Sequence, residues 1–203
     1  MESSIQLIQG RARPWLAIEE LRQRAAGASM VHVDVGTGDG RLVYRLARMD
    51  RTGLFIGVDA NAEALREVSY RASRKPARGG VANALFVRSA LEELPGPLLG
   101  MADRVTVFYP WGSLLRALVE ADAASLRALA GVARPGGSFE ARLNRSAVDP
   151  ISLDLEALPS AYRNAGIDVA WEWSSADDDR TSWAARLAPH ERRILRLEGT
   201  IAP

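Results

Sequence analysis

The chain has 203 residues with 26 basic and 25 acidic side chains and a net charge of +1, enough for one α/β domain with a sizeable core. No cysteine is present and histidine occurs only at His32 and His190, so disulfides and thiolate metal sites are excluded and a histidine-rich metal centre is not expected. Lysine occurs once, at Lys75; arginine supplies every other cation, and its guanidinium suits phosphate binding. Neither a membrane-spanning run nor a signal-peptide pattern is found, so a cytoplasmic location is expected.

Residues 5–15 predict a short hairpin turning at Gly10, with Trp15 packing against it. A helix over roughly 16–26 leads to an apolar strand, Val31-His32-Val33-Asp34-Val35. The turn Gly36-Thr37-Gly38-Asp39-Gly40 follows, where glycine lets the backbone approach a ligand and the next helix is expected to aim free N–H groups at it. That helix, near 39–49, places Leu42, Val43, Leu46 and Ala47 on one stripe. A second strand, Leu54–Val58, ends in Asp59, and its helix is predicted from Asn61 to Ser73. Further strands are expected near 84–88, 104–108 and 138–143, with a helix near 122–133 stopped by Pro135-Gly136-Gly137. Strands and helices alternate this far, which predicts a right-handed βαβ sheet in a single domain, with 1–26 as its leading hairpin and helix. The end breaks the rhythm: a helix near 153–165, then two strand-like segments, 168–174 and 192–200, with no clear helix between them. These predict an antiparallel pair at one sheet edge, and of Trp171 and Trp173 one is expected to face the core.

Two cofactors compete for the glycine turn. The dinucleotide fingerprint is G-x-G-x-x-G, whereas here the spacing is G-x-G-x-G and Arg41 stands at the third-glycine position, where a long side chain crowds helix–strand packing. Asp59 suits a ribose diol in either case, since it accepts from both hydroxyls. The pattern resembles the first motif of class I S-adenosylmethionine (SAM) methyltransferases, whose Rossmann-like sheet has seven strands with one antiparallel member near its edge. That resemblance implies Gly36 and Gly38 beside the methionine part, Asp34 near its ammonium, Asp59 at the ribose and Glu92 at the adenine. It also implies Thr37, Ala60, Leu91 and Ser113 along the cofactor, with S-adenosylhomocysteine as product.

The target is read at the end of the fourth core strand, Phe108-Tyr109-Pro110-Trp111-Gly112-Ser113. Methylases of exocyclic adenine amines carry a polar acceptor there, and Phe108 cannot accept. A ring nitrogen already has a lone pair and needs no general base, and its cationic product is favoured by indole faces. Trp111 and Trp183 are the expected sandwich, a core residue or hinge anchor being the other reading of Trp183. Arg66, Tyr70 and Arg74 lie opposite the buried stripe Leu65, Val68, Ala72, and Arg71, Lys75 and Arg78 extend a basic ridge expected beside the cofactor pocket. Arg186, Arg192, Arg193 and Arg196 form a second basic set.

At Asp34–Arg41, Arg74–Gly80, Pro110–Leu115, Thr181-Ser182-Trp183 and Gly199–Pro203 the chain closely resembles the Kam-type aminoglycoside-resistance methyltransferases. These modify N1 of adenine 1408 in the decoding site of 16S rRNA. The resemblance implies that Trp111 and Trp183 stack on a flipped adenine while Tyr109 and Pro110 shape the pocket. Thr181 positions cofactor or base, and Arg71, Arg74, Lys75, Arg78, Arg186 and Arg193 hold rRNA in the 30S subunit. A monomer without a metal ion or a membrane partner is expected. A small-molecule methyltransferase and a weakly active RNA-binding relative on the same fold remain open.

Overall fold

The computed structural model describes residues 4–148, 153–175 and 193–203. Strands β1 (Ser4–Gln6) and β2 (Trp15–Ala17) pair antiparallel around a turn at Gly10, whose φ is 64°. Leu7 bridges to Val87, so the hairpin is fastened to the main sheet. Helix α1 (Ile18–Ala26) then enters β3 (Val31–Val35). Next come α2 (Arg41–Met49), β4 (Leu54–Asp59), α3 (Arg66–Ala72), β5 (Ala84–Arg88) and β6 (Ala102–Phe108). The chain continues through α4 (Gly112–Val119), α5 (Ala123–Val132), β7 (Ala133–Asn144) and the single turn α6 (Arg145–Val148). It closes with α7 (Leu158–Asn164), β8 (Ile167–Ser175) and β9 (Arg193–Ile201).

The seven-stranded sheet runs β5-β4-β3-β6-β7-β9-β8. Only β9 is antiparallel, to β7 on one side and β8 on the other. The crossover through α7 makes β8 parallel to β7 but leaves a slot, and β9 fills it from the opposite direction.

Alternation along β3 divides the core in two. Val31, Val33 and Val35 pack in one cluster with Val105, Leu118, Leu126, Leu129 and Tyr162. His32 and Asp34 point to the other side, where Phe55 and Phe86 pack with Val43, Tyr44, Ala47, Leu65 and Val68. Tyr162, wholly buried, donates its hydroxyl proton to the carbonyl of Leu118 and so fastens α7 to α4.

Several predicted elements change in detail. The α3 helix begins only at Arg66, because the Asn61 carboxamide oxygen accepts from the N–H groups of Glu63 and Ala64 and holds 61–65 in tight turns. The α2 stripe is Val43, Tyr44 and Ala47, with Leu42 and Leu46 only half-buried. The helix Gly112–Val119 has no counterpart in the sequence reading. α7 covers only 158–164, and β7 starts at Ala133, ahead of the Pro-Gly-Gly sequence, with a register shift against β6. Trp15 does not pack the hairpin but is 66% exposed. Trp171 and Trp173, two apart, share one face of β8. Trp173 packs on the core under the guanidinium groups of Arg145 and Arg193, while Trp171 remains exposed because the edge strand runs beyond the helices.

Candidate active site

The carboxyl ends of β3, β4, β5 and β6 converge on one cavity of about 250 Å³. It is lined by Gly36 and Gly38, by Asp59 and Ala60, by Leu91 and Glu92, and by Tyr109, Pro110, Trp111 and Ser113. Seven of the ten residues assigned to the cofactor from sequence, and three of the four assigned to the target base, thus meet in one place.

The glycine turn is shaped by packing as much as by ligand access. Gly36, Gly38 and Gly40 have φ of 71°, 60° and 70°, and a Cβ on Gly36 would lie 2.6 Å from Leu114 Cδ2, one on Gly40 2.6 Å from Phe86 Cε1. Four of its five N–H groups are already engaged. Gly36 and Thr37 donate to the carbonyl of Val58, Gly38 to Asp59 Oδ2 at 2.7 Å, and Gly40 to Thr37. Arg41 N–H, at the start of α2, is taken by Asp39 Oδ1. A pyrophosphate needs such donors unengaged. A ligand with a cation and hydroxyl groups needs carboxylates instead, and Asp59 and Glu92 line the cavity while Asp34 lies below the turn.

Asp34 is buried and accepts from the Thr106 hydroxyl at 2.5 Å. Thr106 Oγ1 lies 2.9 Å from His32 Nε2. Since the threonine proton goes to Asp34, His32 must donate from Nε2, which fixes its neutral tautomer. Burial, reinforced by the Arg104 charge, lowers the His32 pKa to about 4. Burial pushes Asp34 up to about 6, against the Thr106 hydrogen bond and with help from the Asp59 charge. Asp34 is therefore ionised at neutral pH but poised to respond to a nearby cation. The buried Thr37 hydroxyl above it has no hydrogen-bond partner of good geometry, an unusual state for a buried polar atom outside a ligand site. An orphaned hydroxyl, a poised buried carboxylate and a second carboxylate at a strand end fit the ammonium, carboxylate and ribose of SAM.

The target side is built on strained backbone. Tyr109, 4% exposed, has φ of 53° and donates its N–H to the carbonyl of Arg142 at 2.7 Å. A non-glycine residue held there costs on the order of 1–3 kcal/mol and is found mainly at functional sites. The bend turns Tyr109 and Pro110 into the cavity and leaves Trp111 58% exposed at its mouth. Phe108 does not line the cavity as the sequence suggested. Its ring lies instead under the Arg142 guanidinium at 4.4 Å, so Tyr109 is the strand-end residue facing the ligand space.

The basic residues divide. Arg193 begins β9 at the same carboxyl edge as the cavity, beside Arg145, which the sequence reading did not single out. Arg74, Lys75 and Arg78 do not stand beside the pocket. The α3 helix runs back along the sheet, so they precede the amino end of β5, whose five residues separate them from the cavity by about 16 Å. Thr181, Trp183 and Arg186 lie outside the described residues.

The sheet order, the glycine turn after β3 and the acidic residues ending β4 and following β5 define a class I SAM-dependent methyltransferase. Solved structures agree. The 16S rRNA methyltransferase KamB superposes with a TM-score of 0.90 at 33% identity, covering 98% of this chain and 100% of that one. The 16S rRNA (adenine(1408)-N(1))-methyltransferase of Catenulisporales acidiphilia, a point mutant with cosubstrate SAM, gives 0.89 at 31%, covering 98% and 97%. A 16S rRNA (adenine(1408)-N(1))-methyltransferase of Streptoalloteichus tenebrarius is 35% identical over 202 residues, 91% of this chain and 93% of that protein. The family model described as NpmA, 16S rRNA (adenine(1408)-N(1))-methyltransferase, matches residues 6–200. The chain belongs to the 16S rRNA (adenine(1408)-N(1))-methyltransferase family, a family of SAM-dependent enzymes.

Proposed function

We propose that the cavity between Gly36 and Trp111 carries the family reaction, methylation of N1 of adenine 1408 in 16S rRNA of the 30S subunit. SAM, when bound, supplies an electrophilic methyl group. Asp34 holds the cofactor ammonium, with Thr37 completing its polar contacts, and Asp59 and Glu92 hold the ribose and adenine ends. Gly36, Gly38, Ala60, Leu91 and Ser113 shape the walls. Trp111 stacks on the flipped adenine, worth about 1–3 kcal/mol, which offsets the few kcal/mol needed to extrude it. Tyr109 and Pro110 fix the wall beneath that base, and Trp183 supplies the second stacking face.

No residue need remove a proton, because adenine N1 attacks through its own lone pair and leaves a cationic ring. The π-face of Trp111 favours that charge by on the order of 1–2 kcal/mol once water is excluded. For the same reason the reaction requires no Lewis acid and proceeds without a metal ion. Arg193 grips rRNA at the cavity side, Arg71, Arg74, Lys75 and Arg78 grip it farther away, Arg186 adds a further contact, and Thr181 orients cofactor or base. The enzyme meets its substrate in the cytoplasm, and a methylated, positively charged N1 in the decoding site confers aminoglycoside resistance.

The observation that carries this reading is the exposed Trp111 at the mouth of a cavity lined by Asp59 and Glu92. Purified protein should transfer labelled methyl from SAM to 30S particles and create one reverse-transcription stop at A1408. Trp111→Ala should lower kcat/KM roughly 10- to 100-fold, as loss of about 1–3 kcal/mol of stacking requires, with SAM affinity unchanged by calorimetry. A stop at another nucleotide, or full activity of Trp111→Ala, sinks the reading.

A further inference from the structure

Arginine is abundant in this chain, and most of its arginines outside one region are accounted for. Arg24, Arg66, Arg104, Arg116, Arg134, Arg142, Arg163 and Arg196 all make ion pairs with carboxylates. Arg13 and Arg88 donate to carbonyls. The exception is the outer surface of α2 and α3, where only Arg41, 3.5 Å from Asp39, and Arg66 are paired. Among the described residues, Arg45, Arg48, Arg71, Arg74, Lys75 and Arg78 have no ion pair at all. Arg11, Arg22, Arg51 and Arg127 also lack one but stand singly on separate elements.

The fold holds these cations together. Arg41, Arg45 and Arg48 occur at i, i+4 and i+7 of α2, a stripe about 10 Å long. Arg41, Arg45 and Arg71 line a groove of about 290 Å³ between α2 and α3, with Glu67 its one carboxylate. Tyr44 fixes the geometry. Its ring has the Arg48 guanidinium 5.9 Å and the Arg71 guanidinium 5.3 Å from its centre. Its hydroxyl donates to the carbonyl of Gly79 at 2.6 Å, which ties α2 to the Arg74–Arg78 loop. One ring thus draws two like charges together beside four more. In a free protein that is a cost, small because the groups are solvated. It turns into a gain when a polyanion lies along the stripe, because guanidinium forks match phosphate oxygens.

We infer that the α2–α3 groove is a phosphate-backbone track for folded RNA, running from the start of α2 through Arg45 and Arg48 to the distant Arg74–Arg78 loop. The track resolves the separation between that loop and the cavity: the two are ends of one footprint, joined by α2. The inference rests on the proposed 30S substrate and adds contacts on α2 that the sequence reading did not assign.

The test is the double variant Arg45→Ala/Arg48→Ala, compared with Arg127→Ala/Arg163→Ala, which removes the same charge from α5 and α7. Binding to 30S particles is measured across salt concentrations, alongside SAM affinity and melting temperature. The α2 variant should bind 30S on the order of ten-fold more weakly, and its log–log salt slope should fall by about 1.5, since each phosphate contact contributes roughly 0.7–0.9. Its SAM affinity should not move, and the control variant should keep the wild-type slope. An unchanged slope for the α2 variant, or an equal fall in the control, overturns the track. Should wild-type protein neither bind nor methylate 30S, the substrate reading fails instead, an outcome the wild-type arm reports separately.

Discussion

Two regions on the same side of the sheet use arginine in opposite ways. On β6, β7 and β9, Arg104, Arg142 and Arg196 converge on Glu140, which is buried. Burial pushes the Glu140 carboxyl up, but the charges and hydrogen bonds of Arg142, Arg104 and Arg196 outweigh it and hold the pKa low. Arg196 also reaches Glu172 and Glu198 on the strand surface. On α2, α3 and the loop that follows, Arg45, Arg48, Arg71, Arg74 and Arg78 gather without ion pairs, and only Arg41 and Arg66 meet a carboxylate, of Asp39 and Glu63. Where strands lie bare of helices the protein neutralises its charges, and where a polyanion is to be held it leaves them open. Arginine content alone therefore says nothing about RNA binding; the pairing state does.

The sharpest way to break the contrast is to remove Glu140. Glu140→Ala strands three guanidinium groups around a void. Loss of one partner in a buried ion pair costs about 3–5 kcal/mol, and because these arginines keep 41%, 20% and 31% of their side chains in solvent the lower end applies, about 3 kcal/mol by urea denaturation. A change under 1 kcal/mol would mean that the β-face cluster is no more structural than the α2 stripe. Because the folded pKa of Glu140 is depressed, its stabilisation is present above the unfolded carboxylate pKa and lost as pH falls.

Asp34 extends the comparison to an acid awaiting a cation. Its pKa is raised from 3.8 to about 6, so its contribution favours the fold at low pH and is lost as pH rises through about 6. His32, lowered from 6.5 to about 4, works in the opposite sense: its contribution is present above 6.5 and lost as pH falls through about 4. Asp34→Asn should therefore stabilise the cofactor-free protein at pH 7 by up to about 3 kcal/mol, the equivalent of two pKa units. In the wild type, SAM affinity should fall about ten-fold per pH unit below 6 as Asp34 takes up a proton. Calorimetry across pH 5–8 checks both, and a pH-independent affinity would remove Asp34 from the ammonium site.

Much of this was legible in the sequence for physical reasons. The alternation of apolar strands with helices, the glycine turn and the residues closing each strand are local signals, and the cavity gathers the residues those signals named. What was hidden depends on three dimensions. The insertion of β9 between β7 and β8 leaves no local trace, and neither does the convergence of Arg104, Arg142 and Arg196 on Glu140. Helix α4 was obscured by its start at Gly112 after Pro110-Trp111, a pattern that reads as a turn. The position of the basic loop does carry a sequence signal: a helix between parallel strands must run back, so Arg74–Arg78 belongs near the start of β5 and not beside the pocket. Side-chain identity puts Phe108 at the strand end beside Tyr109 and Pro110, and the left-handed backbone that turns Tyr109 to the ligand space has no sequence signal.

The smallest expected effect comes from an ion pair that looks as good as the Glu140 cluster by distance alone. Arg163 and Asp168 meet at 2.8 Å, and Arg142 and Glu140 at 2.7 Å. The first pair keeps 64% and 60% of its side chains in solvent, and the carboxylate of the second keeps 3%. Water screens the exposed pair and ordering two long side chains offsets what attraction remains, so such pairs are worth about 0–1 kcal/mol. Arg163→Ala should shift stability by no more than that and leave methylation of 30S unchanged, whereas Glu140→Ala removes a partner that three arginines share. If the two variants proved equally destabilising, burial would not be what separates structural arginines from surface ones. The unpaired Arg45 and Arg48 on α2 would then lose their standing as charge left open for a ligand.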